Sequence, residues 1–257
     1  MIIALAESPW QLPAARGSWK VEALDKNFLE RIDRIGQPQR CEALTSEQDM
    51  RLSRHLPEAF MMFLRKYGFG DYFGRKLQYC DPDLLSPILE LLFKRDPDFG
   101  IEDCFVVAYS AFGRLVCWSE RHDHFEIDLI DQRLTSSELA PTQFVLPPHL
   151  ANRPRSTDPN ILARSLLPYE SKDYEEFDSS DQPMFERCQN LHGKLERGEC
   201  YGYFPAIASV GQLSPARKIE NIKRVQALEH FSILAQLGAV RLMRLERGQY
   251  SQVRLIS

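Results

Sequence analysis

Apolar positions recur with two different periods along this 257-residue chain. In the run HLPEAFMMFLRKYG the spacing is that of one helix face, and a second helix is predicted from Ser86 to Asp96, with Pro87 at its first turn. Residues 104–108, 114–118 and 125–130 instead alternate between apolar and polar, which is typical of short antiparallel strands. The sequence therefore predicts an α+β fold whose N-terminal domain has helices covering one face of a small antiparallel sheet. The apolar stripe of the first helix consists of Phe60, Phe63, Leu64 and Tyr67.

A glycine-rich stretch, YGFGDYFGRK, directly follows the first predicted helix. Phosphate-binding glycine loops lie between a strand and a helix N-terminus, where free amide groups point at the ligand. Here Gly68, Gly70 and Gly74 follow a helix C-terminus, and their spacing matches neither dinucleotide nor P-loop fingerprints. We expect a helix stop at Gly68, a turn, and an extended segment over residues 76–79.

Proline-rich sequence separates the two halves of the chain. Five prolines between residues 141 and 160 are incompatible with a regular element. We predict a domain over 1–140, a linker over 141–160 and a second, smaller α+β domain over 161–257. In the second half the patterns predict helices over 160–167, 183–196 and 219–237, a short strand before Pro205, and a hairpin formed by 240–245 and 250–256.

Composition narrows the classes of protein. Apolar residues make up 44% of the chain, charged residues 26%, and the formal net charge is −4. A general nucleic-acid binder is usually basic, so direct binding to nucleic acid is disfavoured. The six cysteines form no CxxC pair, which favours free thiols in a reducing compartment. With neither a signal-peptide pattern nor an eighteen-residue apolar run, we expect a cytoplasmic protein without a membrane span.

Few residues of this sequence have the spacing that is typical of catalytic motifs. His122-Asp123-His124 could place two imidazoles on one strand face, but it falls in a predicted turn and the sequence fixes no third ligand. A G-x-S-x-G elbow and an HExxH motif are both missing. We therefore predict no catalytic residues, no metal ligands and no cofactor. A metal-assisted hydrolase using His122 and His124 stays open as an alternative.

The most suggestive feature is an acidic segment, YESKDYEEFDSSDQ, in which aromatic residues alternate with carboxylates. A solvated loop is one interpretation. The other is a docking surface for a basic protein, because concentrated charge accelerates and orients association and aromatic residues anchor interfaces. The candidate contact residues, defined here as the acidic segment, are Tyr169, Glu170, Asp173, Tyr174, Glu175, Glu176, Phe177, Asp178 and Asp181.

Two stretches resemble known families. LPEAFMMFLRKYGFGDYFGRKLQYCDPD, followed by VVAYSAFGRLVCWS and EIDLID, resembles the GAD-like domain. ECYGYFPAIASVGQ and ENIKRVQALEHFSILAQLG resemble the domain that commonly follows it. Together the two resemblances cover about residues 20–245.

This pairing implies an immunity protein of a bacterial type VI secretion system. The resemblance further implies a cytoplasmic, non-enzymatic inhibitor whose partner is a toxic nuclease, blocked at its active site or its DNA-binding surface. A scaffold module without a toxin is a further alternative, and exposed strand edges leave self-association possible.

Overall fold

The computed structural model describes residues 26–136, 158–211, 214–246 and 249–256. Within them lies a nine-stranded sheet. Its strands are Gln39–Glu42, Phe69–Tyr72, Leu77–Tyr79, Cys104–Ser110, Arg114–Ser119, Asp123–Asp128 and Arg133–Ser136 (β1 to β7), with Arg241–Glu246 and Gln249–Leu255 as β10 and β11. They are arranged in the order β1-β2-β3-β4-β5-β6-β7-β10-β11. Neighbours from β1 to β7 are antiparallel, β10 joins β7 in parallel, and β11 forms the edge as an antiparallel partner of β10.

A separate antiparallel pair, β8 (Glu199–Tyr203) and β9 (Ile222–Gln226), lies beside this sheet. It is attached to β3 and β4 by polar contacts. The side-chain amide of Gln78 donates to Glu199 O over 2.9 Å, and the backbone amide of Gly198 donates to the Tyr109 hydroxyl over 3.1 Å. The helices are Lys26–Ile35, Ser46–Leu52, Glu58–Tyr67, Pro82–Phe93, Pro159–Leu162, Phe185–His192, Ile207–Val210 and Ala227–Leu234, numbered α1 to α8, with short 3-10 turns at Ala163–Leu166, Ser171–Tyr174 and Ile219–Asn221.

Both faces of the central strands of the large sheet are buried. Side chains alternate along a strand, so Leu115 and Cys117 enter one core together with α4 and α8. Val116 and Trp118 enter the other core, against α1 and α3. The α+β class is confirmed, but the sheet is large and carries helices on both sides, whereas the sequence suggested a small sheet covered on one.

The C-terminal hairpin belongs to this large sheet. Leu242 of β10 pairs with Leu134 of β7, although more than a hundred residues separate them. Ile256 closes the same junction by donating its amide to Val240 O over 2.8 Å. The last predicted hairpin therefore forms, and it completes the sheet that begins in the N-terminal half. The proline-rich segment expected as a linker lies almost entirely outside the described residues.

Two predicted helices need correction. The stretch predicted as one helix over 219–237 is a 3-10 turn, then β9, then α8 from Ala227 to Leu234. The helix predicted to start at Ser86 begins earlier, at Pro82, because the Asp81 carboxylate caps it by accepting the Asp83 amide over 3.1 Å. Pro87 consequently lies inside α4.

The glycine-rich stretch is a structural corner, as predicted. Gly68 ends α3 with φ +74, and its amide donates to Leu64 O. A Cβ at Gly68 would overlap Glu42 O of the adjoining strand. The strand that follows, Phe69–Tyr72, was not predicted from the sequence. A turn over Phe73–Lys76 connects it to β3.

Candidate partner-binding surface

The acidic segment runs from the 3-10 turn at Ser171–Tyr174 to the start of α6, along the boundary between the large sheet and β8–β9. Its nine candidate residues do not form one surface. Some carboxylates enter the protein and neutralise cations there, and the others remain in solvent.

Glu175 faces inward. Its Oε2 lies 2.6 Å from Lys76 Nζ, and both side chains are almost buried. Its Oε1 accepts the amides of Met184 and Phe185 over 3.0 and 2.8 Å, so it also satisfies the first turn of α6. Lys76 Nζ lies 5.0 Å from the Phe185 ring as well. Glu175 therefore ties the β2–β3 turn to α6.

Glu176 faces inward too. The guanidinium of Arg217 pairs with Glu176 on one side and with Asp131 on the other, and all three side chains are at most 17% exposed. Burial raises the pKa of Glu176 to about 7, and the Arg217 charge opposes that rise. Asp131 has a pKa raised by burial and by the neighbouring Asp128. Arg217 thus joins the acidic segment to the β6–β7 turn.

The two tyrosines of the segment also serve the fold. Tyr174 is 5% exposed, and its ring stacks on Phe73 at 6.2 Å between centroids. Its hydroxyl accepts the Tyr169 amide over 3.3 Å, and burial raises the pKa of Tyr174 strongly. The Arg31 guanidinium lies 4.1 Å from the centre of the Tyr169 ring. Neither ring is available as a fully exposed anchor.

Asp178 is largely enclosed by its own loop, with 8% of its side chain exposed. It pairs with Arg187 over 2.6 Å and accepts the Ser180 and Gln182 amides. Phe177, at 46% exposed, projects from the same loop. What is left of the acidic segment is an outer face, defined here by its exposed residues, namely Glu170, Asp173, Phe177 and Asp181.

A cleft of about 200 Å³ lies where the first strands meet the segment before β8. Its charged groups already have partners, since Arg197 donates to Arg40 O and Phe69 O, and Arg75 lies 3.6 Å from Asp71. This cleft could not be predicted from the sequence, because its walls come from positions more than a hundred residues apart.

The histidine pair does not form a metal centre with other described residues. His122 contacts Asp98 O over 2.7 Å and lies 4.5 Å from the Phe99 ring, while His124 lies inside β6, not in a turn. Burial lowers the pKa of His124. Across the described ranges, no group of three or more His, Cys, Asp or Glu is placed to hold a metal ion, so the hydrolase alternative gains no ligand set.

Comparison with protein families gives the chain a class. Residues 26–130 match the GAD-like domain, and residues 168–238 match the C-terminal region of the type VI secretion immunity protein Tdi1. Two regions of the chain thus resemble, in order, a GAD-like domain and the C-terminal domain of a type VI secretion immunity protein. The region that matches the Tdi1 C-terminal domain contains Glu175, Glu176 and Arg217, and the region that matches the GAD-like domain contains Lys76.

The fold has a solved counterpart. The crystal structure of Atu4351 from Agrobacterium tumefaciens superposes with a TM-score of 0.70 and 24% identity, covering 90% of this chain and 97% of that chain. No curated protein gives a significant match. Among the described residues, no helix is long and apolar enough to cross a membrane. The Tdi1 match implies an immunity role, and with it the binding of a cognate toxin.

Proposed function

We propose that this protein neutralises a nuclease effector of a type VI secretion system by binding it in a one-to-one complex. The Tdi1 C-terminal match carries the immunity role. The nuclease target rests on charge: a toxin that binds DNA presents a basic surface, and the outer face offers three exposed carboxylates and one exposed aromatic side chain within twelve residues of sequence.

In this proposal the outer face occupies the position that DNA phosphates would take on the toxin. The carboxylates of Glu170, Asp173 and Asp181 speed association and set the orientation of the toxin, while Phe177 is the anchor that becomes buried on binding. The inner carboxylates support the outer face without contacting the toxin, because Glu175 fixes α6 and Glu176 fixes the adjoining loop. Protection inside a cell requires a Kd of about 1 nM, close to −12 kcal/mol, and hence an interface of roughly 1,600 Å².

The contacts of each carboxylate determine which variants can test whether the outer face binds the toxin. Reversing Glu175 or Glu176 would unfold the segment, so a loss of binding there would be uninformative. The triple variant Glu170→Lys, Asp173→Lys, Asp181→Lys leaves the contacts of Glu175 and Glu176 in place and changes charge by +6, and it removes the bond that the Asp173 carboxylate accepts from the Glu170 amide. Its matched control is Glu90→Lys, Glu102→Lys, Glu229→Lys, which makes the same change at exposed positions elsewhere.

The measurement is titration of each variant against the purified toxin, with inhibition of DNA cleavage read in parallel. We expect the outer-face triple to weaken binding roughly a hundredfold or more at low salt, and the control to weaken it far less. Equal effects of the two triples would remove the outer face from the interface. A cognate toxin that is bound tightly but does not cleave nucleic acid would overturn the nuclease assignment.

A further inference from the structure

The two edges of the nine-stranded sheet differ in how they are protected. The β1 edge is only four residues long, Gln39–Glu42, and carries charge. Arg40 pairs with Asp71, and Glu42 lies 3.4 Å from Arg197. Short, charged edge strands are the usual defence against pairing with another chain.

The β11 edge lacks this protection. It is seven residues long, Gln249–Leu255, and six of the seven are exposed. It contains no Lys, Asp, Glu or Pro, and its single charge, Arg254, is turned away to pair with Asp96 and with Asp98 over 2.6 Å. Within the described residues, β10 is the strand it pairs with. Its exposed apolar side chains are Tyr250, Val253 and Leu255.

Hairpin geometry fixes which backbone groups of β11 face outward. Glu246 lies opposite Gln249 across a two-residue connection, so these two form the hydrogen-bonded pair that closes the hairpin. Inward and outward groups then alternate along the strand. The amide and carbonyl of Tyr250 and of Gln252 therefore point away from β10. The irregularity opposite Met243 comes after Gln252, so Gln249–Gln252 is a regular edge.

We infer that this edge pairs antiparallel with the same strand of a second copy of the chain. Outward groups must face outward groups, which sets Tyr250 opposite Gln252 of the second copy and places Ser251 on the twofold axis. The pairing forms four backbone hydrogen bonds and joins the two sheets into one.

Charge selects a second copy over a basic toxin as the occupant. Gln249–Gln252 is uncharged, so two identical strands meet without repulsion, and nothing on this edge attracts a DNA-binding surface. A single strand pair buries little area, which puts the interface in the weak class, with a Kd of about 10–100 µM.

Substitutions at Ser251, which lies on the twofold axis of the inferred dimer, test the inference by sedimentation velocity. Ser251→Lys and Ser251→Glu each place like charges directly opposite one another, and we expect each variant alone to remain at 29.7 kDa. An equimolar mixture of the two should regain the dimer at twice that mass. Leu191→Lys, at a position 59% exposed on α6, is the control and should dimerise as the wild type does.

Hydrogen exchange gives a second readout that does not depend on the variants. Exchange of the Tyr250 and Gln252 amides should slow about fourfold to tenfold between dilute wild-type protein and protein at about 0.5 mM, as the monomer fraction falls. A wild type that remains monomeric at about 0.5 mM, well above the expected Kd, overturns the inference. So does a mixture of Ser251→Lys and Ser251→Glu that stays monomeric, and so does slowed exchange at this edge only when toxin is added.

Discussion

Removing Arg217 is the most informative single perturbation of the junction between the acidic segment and the β6–β7 turn. Arg217→Met keeps an unbranched, apolar stem but deletes the cation between Glu176 and Asp131. Breaking a buried ion pair from one side costs about 3–5 kcal/mol, because the remaining charge stays buried and uncompensated. Asp131 keeps Arg133 at 3.1 Å, so the loss falls mainly on Glu176 and we expect about 3 kcal/mol at pH 8.

The loss should depend on pH in a defined direction. Glu176 already has a pKa of about 7 with Arg217 present, and loss of the cation raises the pKa further. At pH 6 the variant's carboxyl is protonated and needs no partner, so the destabilisation shrinks. Equilibrium denaturation in urea at pH 6 and pH 8, with both transitions followed by circular dichroism, measures the two values.

Arg65→Met is the matched control. Arg65 also bridges two carboxylates, Asp49 at 2.8 Å and Glu58 at 2.6 Å, but all three side chains are more than a third exposed. Surface pairs of this kind contribute about 0–1 kcal/mol. If Arg217→Met loses no more stability than Arg65→Met at pH 8, the junction is not held by this ion pair and our account of the inner carboxylates fails.

Two further predictions concern stability. In the wild type, folding raises the pKa of Glu176 from its ordinary value to about 7, so the folded state holds that proton more tightly than the unfolded chain does. The free energy of unfolding should therefore fall by up to about 3 kcal/mol as pH rises from 5 to 8. Glu176→Gln should flatten this pH dependence in denaturation curves. Gly68→Ala should cost about 2 kcal/mol or more, since its φ of +74 is strained for alanine and the new methyl overlaps Glu42 O. Gly36→Ala, at φ +80 in open space, isolates the strain alone at about 1 kcal/mol, and equal losses would refute the overlap.

Local patterns predicted local structure well. The strands expected near 104–108, 114–118 and 125–130 form as Cys104–Ser110, Arg114–Ser119 and Asp123–Asp128, since alternation is a property of adjacent residues. β9 was missed for the converse reason. Its sequence, IKRVQ, continues the helical spacing of the residues after it without a breaking residue, and only its pairing with β8 makes it a strand.

Distant contacts were not visible in the sequence. The parallel pair of β7 and β10 links segments more than a hundred residues apart, so the hairpin read as part of the second domain. The partners of two candidate site residues were hidden in the same way. Glu175 and Glu176 look like solvated charges because their partners, Lys76 and Arg217, lie 99 and 41 positions away.

The division of the acidic segment has a consequence for how immunity could be tuned to different toxins. The inner carboxylates are constrained, because each neutralises a buried cation and removal leaves that cation unpaired. The outer carboxylates make only contacts within their own exposed segment, where Asp173 accepts the Glu170 amide over 2.8 Å and Glu170 pairs with Lys172, so they can change at a smaller cost to folding than the inner ones. A segment built in this way can vary its contact residues while the protein keeps its fold, and for that reason the specificity of the complex belongs to Glu170, Asp173 and Asp181 in our proposal, not to their neighbours.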